Sequence, residues 1–234
     1  MWPEGPPSTK EILKIARRTT SIIKSKIPSN VYLFGSAAVY LWANPGRVPG
    51  VRIDLLARIL PLTAHPQDVD IVVVNTFYDA EQIKAIIVGA DDRYFLKPAR
   101  WRDADYEVLY CRLPGWRSRR RRVKVDIVVP PSNLGLPKIS ASDTIEDIPV
   151  MPLFALLVMK TQGWWDRKDF RAKVNADIDD VNALLYRAAE KYVDYNQVCG
   201  QYTSEFMRKA LVMARRFVRR HGRREKWRAI GFPL

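Results

Sequence analysis

Two short runs of apolar, β-branched residues carry aspartates in similar positions, and they constrain the fold more than any other feature. They are QDVDIVVV at 67–74 and RRVKVDIVV at 121–129. Runs of this length and composition are typical of buried strands. Because side chains alternate faces along a strand, Asp68, Asp70 and Val72 are expected on one face, with the residues between them in the core.

The second run places Arg122, Lys124 and Asp126 together on one face of a strand. If the two strands are neighbours, the carboxylates of Asp68, Asp70 and Asp126 converge on one patch of sheet. Such a cluster repels itself unless cations lie within it, so we expect a divalent metal site. The alternative is that the acids lie at strand ends and are solvated at turns.

A third element, VYLFGSAAVYLW at 31–42, places a glycine and a serine between a strand and a helix. The apolar strand ends at Phe34, and the small and apolar residues after Ser36 favour a helix. Gly35 permits a ligand to approach the backbone closely, and a helix N-terminus with a hydroxyl is suited to bind phosphate. The segment therefore predicts a phosphate-binding turn.

The order of strand, Gly-Ser, helix, Asp-x-Asp strand and single-Asp strand resembles the nucleotidyltransferase superfamily, whose best-known member is DNA polymerase β. Within it, the small, minimal transferases and the AbiEii-type toxin transferases are the nearest groups. Gly35 and Ser36 match the Gly-Ser signature. Asp68 and Asp70 match the metal-binding pair, and Asp126 matches the third carboxylate. The resemblance implies an α+β fold, in which a mixed polymerase β-like sheet flanked by helices is followed by a C-terminal helical region.

The resemblance also implies a reaction, the transfer of a nucleoside monophosphate from an NTP such as ATP to a hydroxyl acceptor, with release of pyrophosphate. Two Mg²⁺ ions, for which Mn²⁺ can substitute, would be the cofactors. Asp68 and Asp70 would bridge both ions and hold the triphosphate. Asp126 would ligate only the ion that activates the acceptor hydroxyl. Gly35 and Ser36 would bind the β- and γ-phosphates.

The segment between Ser36 and Asp68 is longer than this family usually shows. Residues 44–67 fill the gap as an insertion. Its start is rich in proline and glycine, and the stretch RIDLLARIL has an amphipathic pattern. These features predict an inserted loop with a short helix.

A further match lies at 156–185, because the small and toxin-type transferases carry a helical Leu-Leu-x-x-Lys element followed by a closing Asp-containing helix. Leu156, Leu157 and Lys160 match the first element. The resemblance implies that Lys160 contacts the triphosphate and offsets charge on the leaving pyrophosphate. The alternative is a surface lysine on an apolar helix. Three acids nearby are predicted to be helix caps or ion-pair partners rather than metal ligands: Asp166, Asp177 and Asp180.

The pattern of elements predicts two regions, a catalytic domain at 1–138 and a C-terminal helical region at 139–234 packing on it. The first would contain a helix that starts with a capping box at Ser8, four or five strands, and a hairpin around Pro114. In the second, the helix at 203–220 has an apolar stripe opposite many arginines. We expect it to be a packed helix, although a basic amphipathic helix can also lie on a membrane.

Basic residues outnumber acidic ones, 39 against 25, which gives a net charge of +14 at neutral pH. An excess of this size attracts polyanions, and the alternative is a solvated surface. We expect RNA, including a tRNA end, as the acceptor, with Arg122 and Lys124 contacting its phosphates. The alternatives are a protein or small-molecule hydroxyl, a catalytically silent nucleic-acid-binding module, or a subunit that binds an acidic protein. Three tryptophans near basic runs are expected to pack rather than to stack on bases: Trp101, Trp116 and Trp227.

The sequence also argues against several classes of protein. Every apolar run is too short to cross a bilayer, and the first residues lack the layout of a secretory signal. Cys111 and Cys199 are too few for a disulfide framework or a thiolate metal site. Neither His65 nor His221 lies near a cysteine in sequence, so no zinc site is predicted. We therefore expect an intracellular protein of the cytoplasm or the nucleus, without a membrane partner.

Overall fold

The computed structural model describes residues 5–43, 66–99, 105–114, 121–130, 144–167, 169 and 171–234. The chain divides into two compact units. The first takes in Met1–Ala37, His65–Pro131 and Ala141–Val150, and the second takes in Ala38–Ala64, Ser132–Ser140 and Met151–Leu234. The predicted domain boundary at 138 and all but the last two residues of the predicted insertion at 44–67 lie outside the described residues.

The first unit is built on a five-stranded mixed sheet in the order β1-β2-β5-β4-β3. Its strands are β1 Asn30–Phe34, β2 Asp68–Val74, β3 Tyr94–Pro98, β4 Glu107–Arg112 and β5 Arg122–Val128. β2 pairs in parallel with β5, and the other neighbours are antiparallel. The two aspartate-bearing runs are therefore adjacent strands, and the predicted mixed sheet is confirmed. The turn of the predicted hairpin between β4 and β5 lies largely outside the described residues.

Among its described residues, this unit contains all or part of three helices: α1 Thr9–Lys26, α2 Gly35–Ala43 and α3 Ala80–Ala90. α1 begins with the predicted capping box, in which the Ser8 side chain accepts from the backbone N–H of Glu11. α2 begins directly after β1. α1 contacts β1 and β2, while α3 contacts β3 and β5.

Apolar side chains of the sheet and of α1 and α3 form the core of the first unit. Val69, Ile71 and Val73 of β2 are fully buried, as strand alternation predicts. Val72 is also fully buried, although it lies on the same face as the aspartates. Burial here departs from simple alternation because both faces of the sheet are covered at this point of β2.

A short hairpin, formed by β6 Thr144–Ile145 and β7 Ile148–Pro149, completes the first unit. Its two turn residues, Glu146 and Asp147, have positive φ angles of 53° and 61°. Arg17 of α1 donates two hydrogen bonds to the Glu146 carbonyl oxygen, at 3.0 and 2.8 Å. These contacts fix the hairpin to α1.

The described part of the second unit is helical. Its elements are α4 Leu153–Asp166, α5 Arg171–Glu190, α6 Tyr195–Val198, a 3₁₀ helix at Cys199–Gln201, α7 Ser204–His221 and α8 Arg224–Ala229. Aromatic side chains form much of its core, in which the Phe154 ring contacts the rings of Tyr202, Phe206 and Phe232. The C-terminal helical region of the predicted fold is confirmed.

The amphipathic pattern of α7 reflects packing within this unit. Its apolar stripe, which includes Phe206, Met213 and Phe217, is buried. Trp227 is also buried and packs, as predicted, while Trp101 and Trp116 lie outside the described residues. In the part of the chain that the structure describes, no helix combines the length and the apolar character needed to cross a membrane.

Candidate metal and nucleotide site

Three carboxylates converge on one face of the sheet in the first unit. β2 and β5 lie side by side in a register that pairs Asp70 with Asp126 and Asp68 with Lys124. One oxygen from each of Asp68, Asp70 and Asp126 lies within 4.8 Å of the other two. All three side chains are partly exposed, so solvent ions have access to them. The predicted convergence of the three acids is present, and their binding of a divalent metal stays a prediction.

The Lys124 ammonium lies within this carboxylate cluster. Its Nζ donates a hydrogen bond to Oδ2 of Asp126 at 2.5 Å. Burial opposes the charge of Lys124, but the hydrogen bond and the negative charges of Asp126, Asp68 and Asp70 together raise its pKa. The cluster thus contains a cation from the chain itself, which offsets part of the repulsion among the acids.

Gly35 lies against the carboxylate of Asp70. Phe34 pairs with Asp70 in the β1–β2 register, so the next residue turns at the edge of the cluster. Gly35 has φ +71°, and a Cβ there would lie 2.7 Å from Cγ of Asp70 and closer still to its carboxylate oxygen. Any side chain at this position would overlap the acid, so glycine is required for both backbone and steric reasons.

Ser36 follows in the first turn of α2 and is partly exposed. The structure therefore brings the Gly-Ser turn next to the acids that the sequence predicted it would adjoin, despite the long segment between them. The predicted contact of Gly35 and Ser36 with phosphates stays a prediction.

Lys160 lies on α4 in the second unit, where it forms an ion pair. Its Nζ donates to Oδ2 of Asp180 at 2.6 Å, and only 11% of its side chain is exposed. Burial raises the pKa of Asp180, and the charge and hydrogen bond of Lys160 offset part of that rise. The alternative of a surface lysine is wrong, and the predicted contact of Lys160 with a triphosphate stays a prediction.

The other acids of this region have structural partners. Asp177 accepts two hydrogen bonds from Arg167, at 2.9 and 2.7 Å. Asp166 accepts one from Gln162 at 2.5 Å. Asp177 and Asp180 are thus ion-pair partners, as the sequence predicted, rather than part of the carboxylate cluster.

The donor set of the cluster fits a hard divalent cation. Mg²⁺ and Mn²⁺ prefer oxygen ligands, and carboxylates are their usual protein ligands. Asp68, Asp70 and Asp126 supply such oxygens close enough together to share an ion. The Lys124 ammonium lies at this same place, which indicates that the cluster favours positive charge.

Sequence reasoning missed an aromatic pair beside this site. Phe95 and Tyr110 stack across β3 and β4, with ring centroids 5.8 Å apart. The Arg122 guanidinium, predicted to contact an acceptor, lies over the Tyr110 ring at 4.7 Å. The alternation of polar and apolar residues in YEVLYCRL was the available signal, because it places Tyr110 on the face opposite Leu109 and Cys111.

No family model matches this chain, and neither does any curated protein sequence. A solved structure does match, that of an antigenic nucleotidyltransferase-like protein from Paracoccidioides brasiliensis. The TM-score is 0.65 at 15% sequence identity, and the match covers 97% of this chain and 96% of that chain. Similarity to the AbiEii-type group stays a prediction. The chain therefore has the fold of a nucleotidyltransferase-like protein.

Proposed function

We propose that this protein is a metal-dependent nucleotidyltransferase that moves a nucleoside monophosphate from an NTP to a hydroxyl group of RNA. The observation that carries the proposal is the carboxylate cluster. Asp68, Asp70 and Asp126 come from two segments far apart in sequence, yet their oxygens lie within 4.8 Å of one another. A cluster of like charges costs free energy unless cations compensate it, so its presence beside a phosphate-suited turn supports a catalytic purpose.

In this proposal Asp68, Asp70 and Asp126 hold two Mg²⁺ ions, with Mn²⁺ as a substitute. When bound, the ions stabilise negative charge on the attacking and departing oxygens. An Asp126 carboxylate that ligated a metal would no longer be free to accept the hydrogen bond that Lys124 donates to it. Asp68 and Asp70 face the triphosphate, and Gly35 and Ser36 orient its β- and γ-phosphates through backbone N–H groups and the serine hydroxyl.

The reaction is an in-line displacement at the α-phosphorus. The acceptor hydroxyl oxygen forms a bond to that phosphorus, the bond to the bridging oxygen breaks, and pyrophosphate leaves with the bonding electrons. The hydroxyl proton passes to a carboxylate oxygen of Asp126. The chain contributes position and charge rather than a covalent intermediate.

RNA is the proposed acceptor because of charge. The chain carries a net charge of +14, and Arg122 lies on the same sheet face as Asp126. A polyanion bound there through phosphate contacts would show an affinity that falls steeply with salt. An uncharged small-molecule acceptor would show no such dependence.

The experiment is transfer of label from each α-³²P-NTP to total RNA in the presence of Mg²⁺. We expect label in RNA with the native protein and none with Asp70→Asn. The matched control is Asp92→Asn, which removes an exposed acid from the turn before β3 and should leave transfer intact. Full transfer by Asp70→Asn, or no transfer to any acceptor by the native protein, would contradict the proposal.

The competing proposal is a catalytically silent nucleic-acid-binding module, and the contact between Lys124 and Asp126 favours it. A lysine that neutralised the cluster permanently would leave no place for metal. Such a module would bind RNA with the same affinity in EDTA and in Mg²⁺, and it would fail to bind Mn²⁺ in an electron paramagnetic resonance (EPR) titration. Stoichiometric Mn²⁺ binding would exclude it.

A further inference from the structure

One cross-strand row of side chains connects the carboxylate cluster to the far edge of the sheet. Asp68 on β2 pairs with Lys124 on β5, Lys124 pairs with Tyr110 on β4, and Tyr110 pairs with Phe95 on β3. Paired residues point to the same face of a sheet. With neighbouring strands about 4.8 Å apart, the row extends roughly 14 Å from the cluster.

Two arginines cover the aromatic end of this row. The Arg122 guanidinium lies over Tyr110 at 4.7 Å, and the Arg112 guanidinium lies over Phe95 at 4.5 Å. The two rings stack with an angle of 24° between their planes. We call Phe95, Tyr110, Arg112 and Arg122 the aromatic-arginine patch. Phe95, Tyr110 and Arg122 are partly exposed and Arg112 is exposed, so planar groups here are accessible to a ligand.

The charge of this patch lacks the compensation found at other arginines. Among the residues that the structure describes, neither Arg112 nor Arg122 forms an ion pair with a carboxylate. Other arginines do form such pairs: Arg18 and Arg93 with Asp91, Arg121 with Glu11, and Arg167 with Asp177. Arg112 donates one hydrogen bond to the backbone oxygen of Asp92 at 2.7 Å, which orients its guanidinium without neutralising it. Two positive charges therefore remain available to anions.

We infer that the aromatic-arginine patch binds a single-stranded segment of the acceptor RNA. Bases stack on aromatic rings and on guanidinium planes, and arginine also binds phosphate. A duplex keeps its bases stacked on each other and cannot use the rings in this way. The row of paired residues places such a segment on the face that carries the carboxylates. The identification of this RNA as the acceptor rests on the proposed function. The binding itself requires neither metal nor nucleotide.

The test is fluorescence anisotropy of a labelled single-stranded oligoribonucleotide, without metal or NTP. Tyr110→Ala should weaken binding about 5- to 150-fold, the usual loss for one stacked base. Tyr110→Phe keeps the ring and should bind as the native protein does. The aromatic control is Phe77→Ala, because Phe77 is fully exposed on the loop after β2 and lies outside the row. This control should leave the affinity within about twofold of the native value.

The contribution of charge to binding is measured by varying the salt concentration. Arg122→Ala should make the decrease of log affinity with log salt less steep, by about 0.7 for each RNA phosphate that Arg122 neutralises. Lys24→Ala is the matched control, because Lys24 is an exposed cation near the end of α1 and lies outside the aromatic-arginine patch. It should leave the slope unchanged. An equal decrease of the slope in both variants would indicate general attraction and would overturn the inference.

Two further outcomes would overturn it: unchanged affinity in folded Tyr110→Ala, and equal affinity for a duplex of the same sequence. If Tyr110→Ala fails to fold, photocrosslinking of a 4-thiouridine oligonucleotide to the native protein decides the matter. Adducts on Phe95 or Tyr110 support the inference, and adducts only elsewhere contradict it. Ring-dependent binding without any nucleotide transfer would refute the proposed function alone, while transfer with ring-independent binding would refute this inference alone.

Discussion

Replacing Gly35 by alanine should displace Asp70 and disrupt the carboxylate cluster. A Cβ at Gly35 would lie 2.7 Å from Cγ of Asp70, whereas ordinary van der Waals contact begins at 3.4 Å. Cγ of Asp70 therefore has to move by about 0.7 Å and the nearer carboxylate oxygen by more, which reaches the size of misplacement that disables a catalytic group. Changes that misorient metal ligands typically lower metal affinity or activity by about 10- to 100-fold. We expect a decrease of that size in Mn²⁺ affinity, measured by an EPR titration of free Mn²⁺.

The matched control is Gly222→Ala. Gly222 also has a positive φ, +73°, but no atom lies within 4 Å of a Cβ built there. Both variants should be destabilised by on the order of 1–3 kcal/mol through backbone strain. For a chain of this length each kcal/mol lowers Tm by about 2–4 °C, so both should melt earlier in a thermal scan. Only Gly35→Ala should bind Mn²⁺ more weakly. Equal Mn²⁺ affinity in the two variants would refute the steric argument.

Other side-chain interactions lead to four further predictions. Lys124→Met removes a cation from the cluster and should tighten Mn²⁺ binding by about 1.4- to 5-fold in the same titration, since a partly exposed pair contributes roughly 0.2–1 kcal/mol; weaker Mn²⁺ binding by this variant would contradict the prediction. Lys160→Met leaves Asp180 buried without its cation and should destabilise the protein by roughly 3–5 kcal/mol in urea unfolding, whereas a stability within about 1 kcal/mol of native would contradict the buried pair. Burial raises the pKa of Cys111 to about 11, so Ellman's reagent at pH 8 should label exposed Cys199 alone. Because the unfolded thiol ionises near its ordinary value of 9.0, the Cys111 contribution to stability should disappear as pH rises from 9.0 through about 11, and a flat profile in that window would contradict it.

The strands and the convergence of the acids could be predicted because both rest on local patterns. Two VDIVV-type runs fix strand type and face, and one parallel pairing then brings Asp70 beside Asp126. The position of Gly35 was also predictable, since the Gly-Ser turn directly follows a strand. The steric role of Gly35 could not be predicted, because its contact with Asp70 depends on the β1–β2 register.

Other features depend on tertiary contacts that a linear pattern does not contain. The contact of Lys124 with Asp126 requires a particular side-chain conformation, and both residues equally suit a solvated face. The turn of the β6–β7 hairpin places Glu146 and Asp147 at positive φ without the Asn or Gly that usually indicates such a turn. The Glu146 carbonyl is held by Arg17, more than a hundred residues earlier, which no local signal reveals.

The proposed nucleotidyl transfer requires that Asp68, Asp70 and Asp126 together bind divalent cations. The most direct measurement is an EPR titration of Mn²⁺ in the presence of a non-hydrolysable NTP analogue. We expect about two bound ions per native chain, as in two-metal transferases, and neither ion bound in Asp70→Asn. Binding of Mn²⁺ by Asp70→Asn at the native level, or no binding by the native protein, would refute the assignment of these three acids as metal ligands.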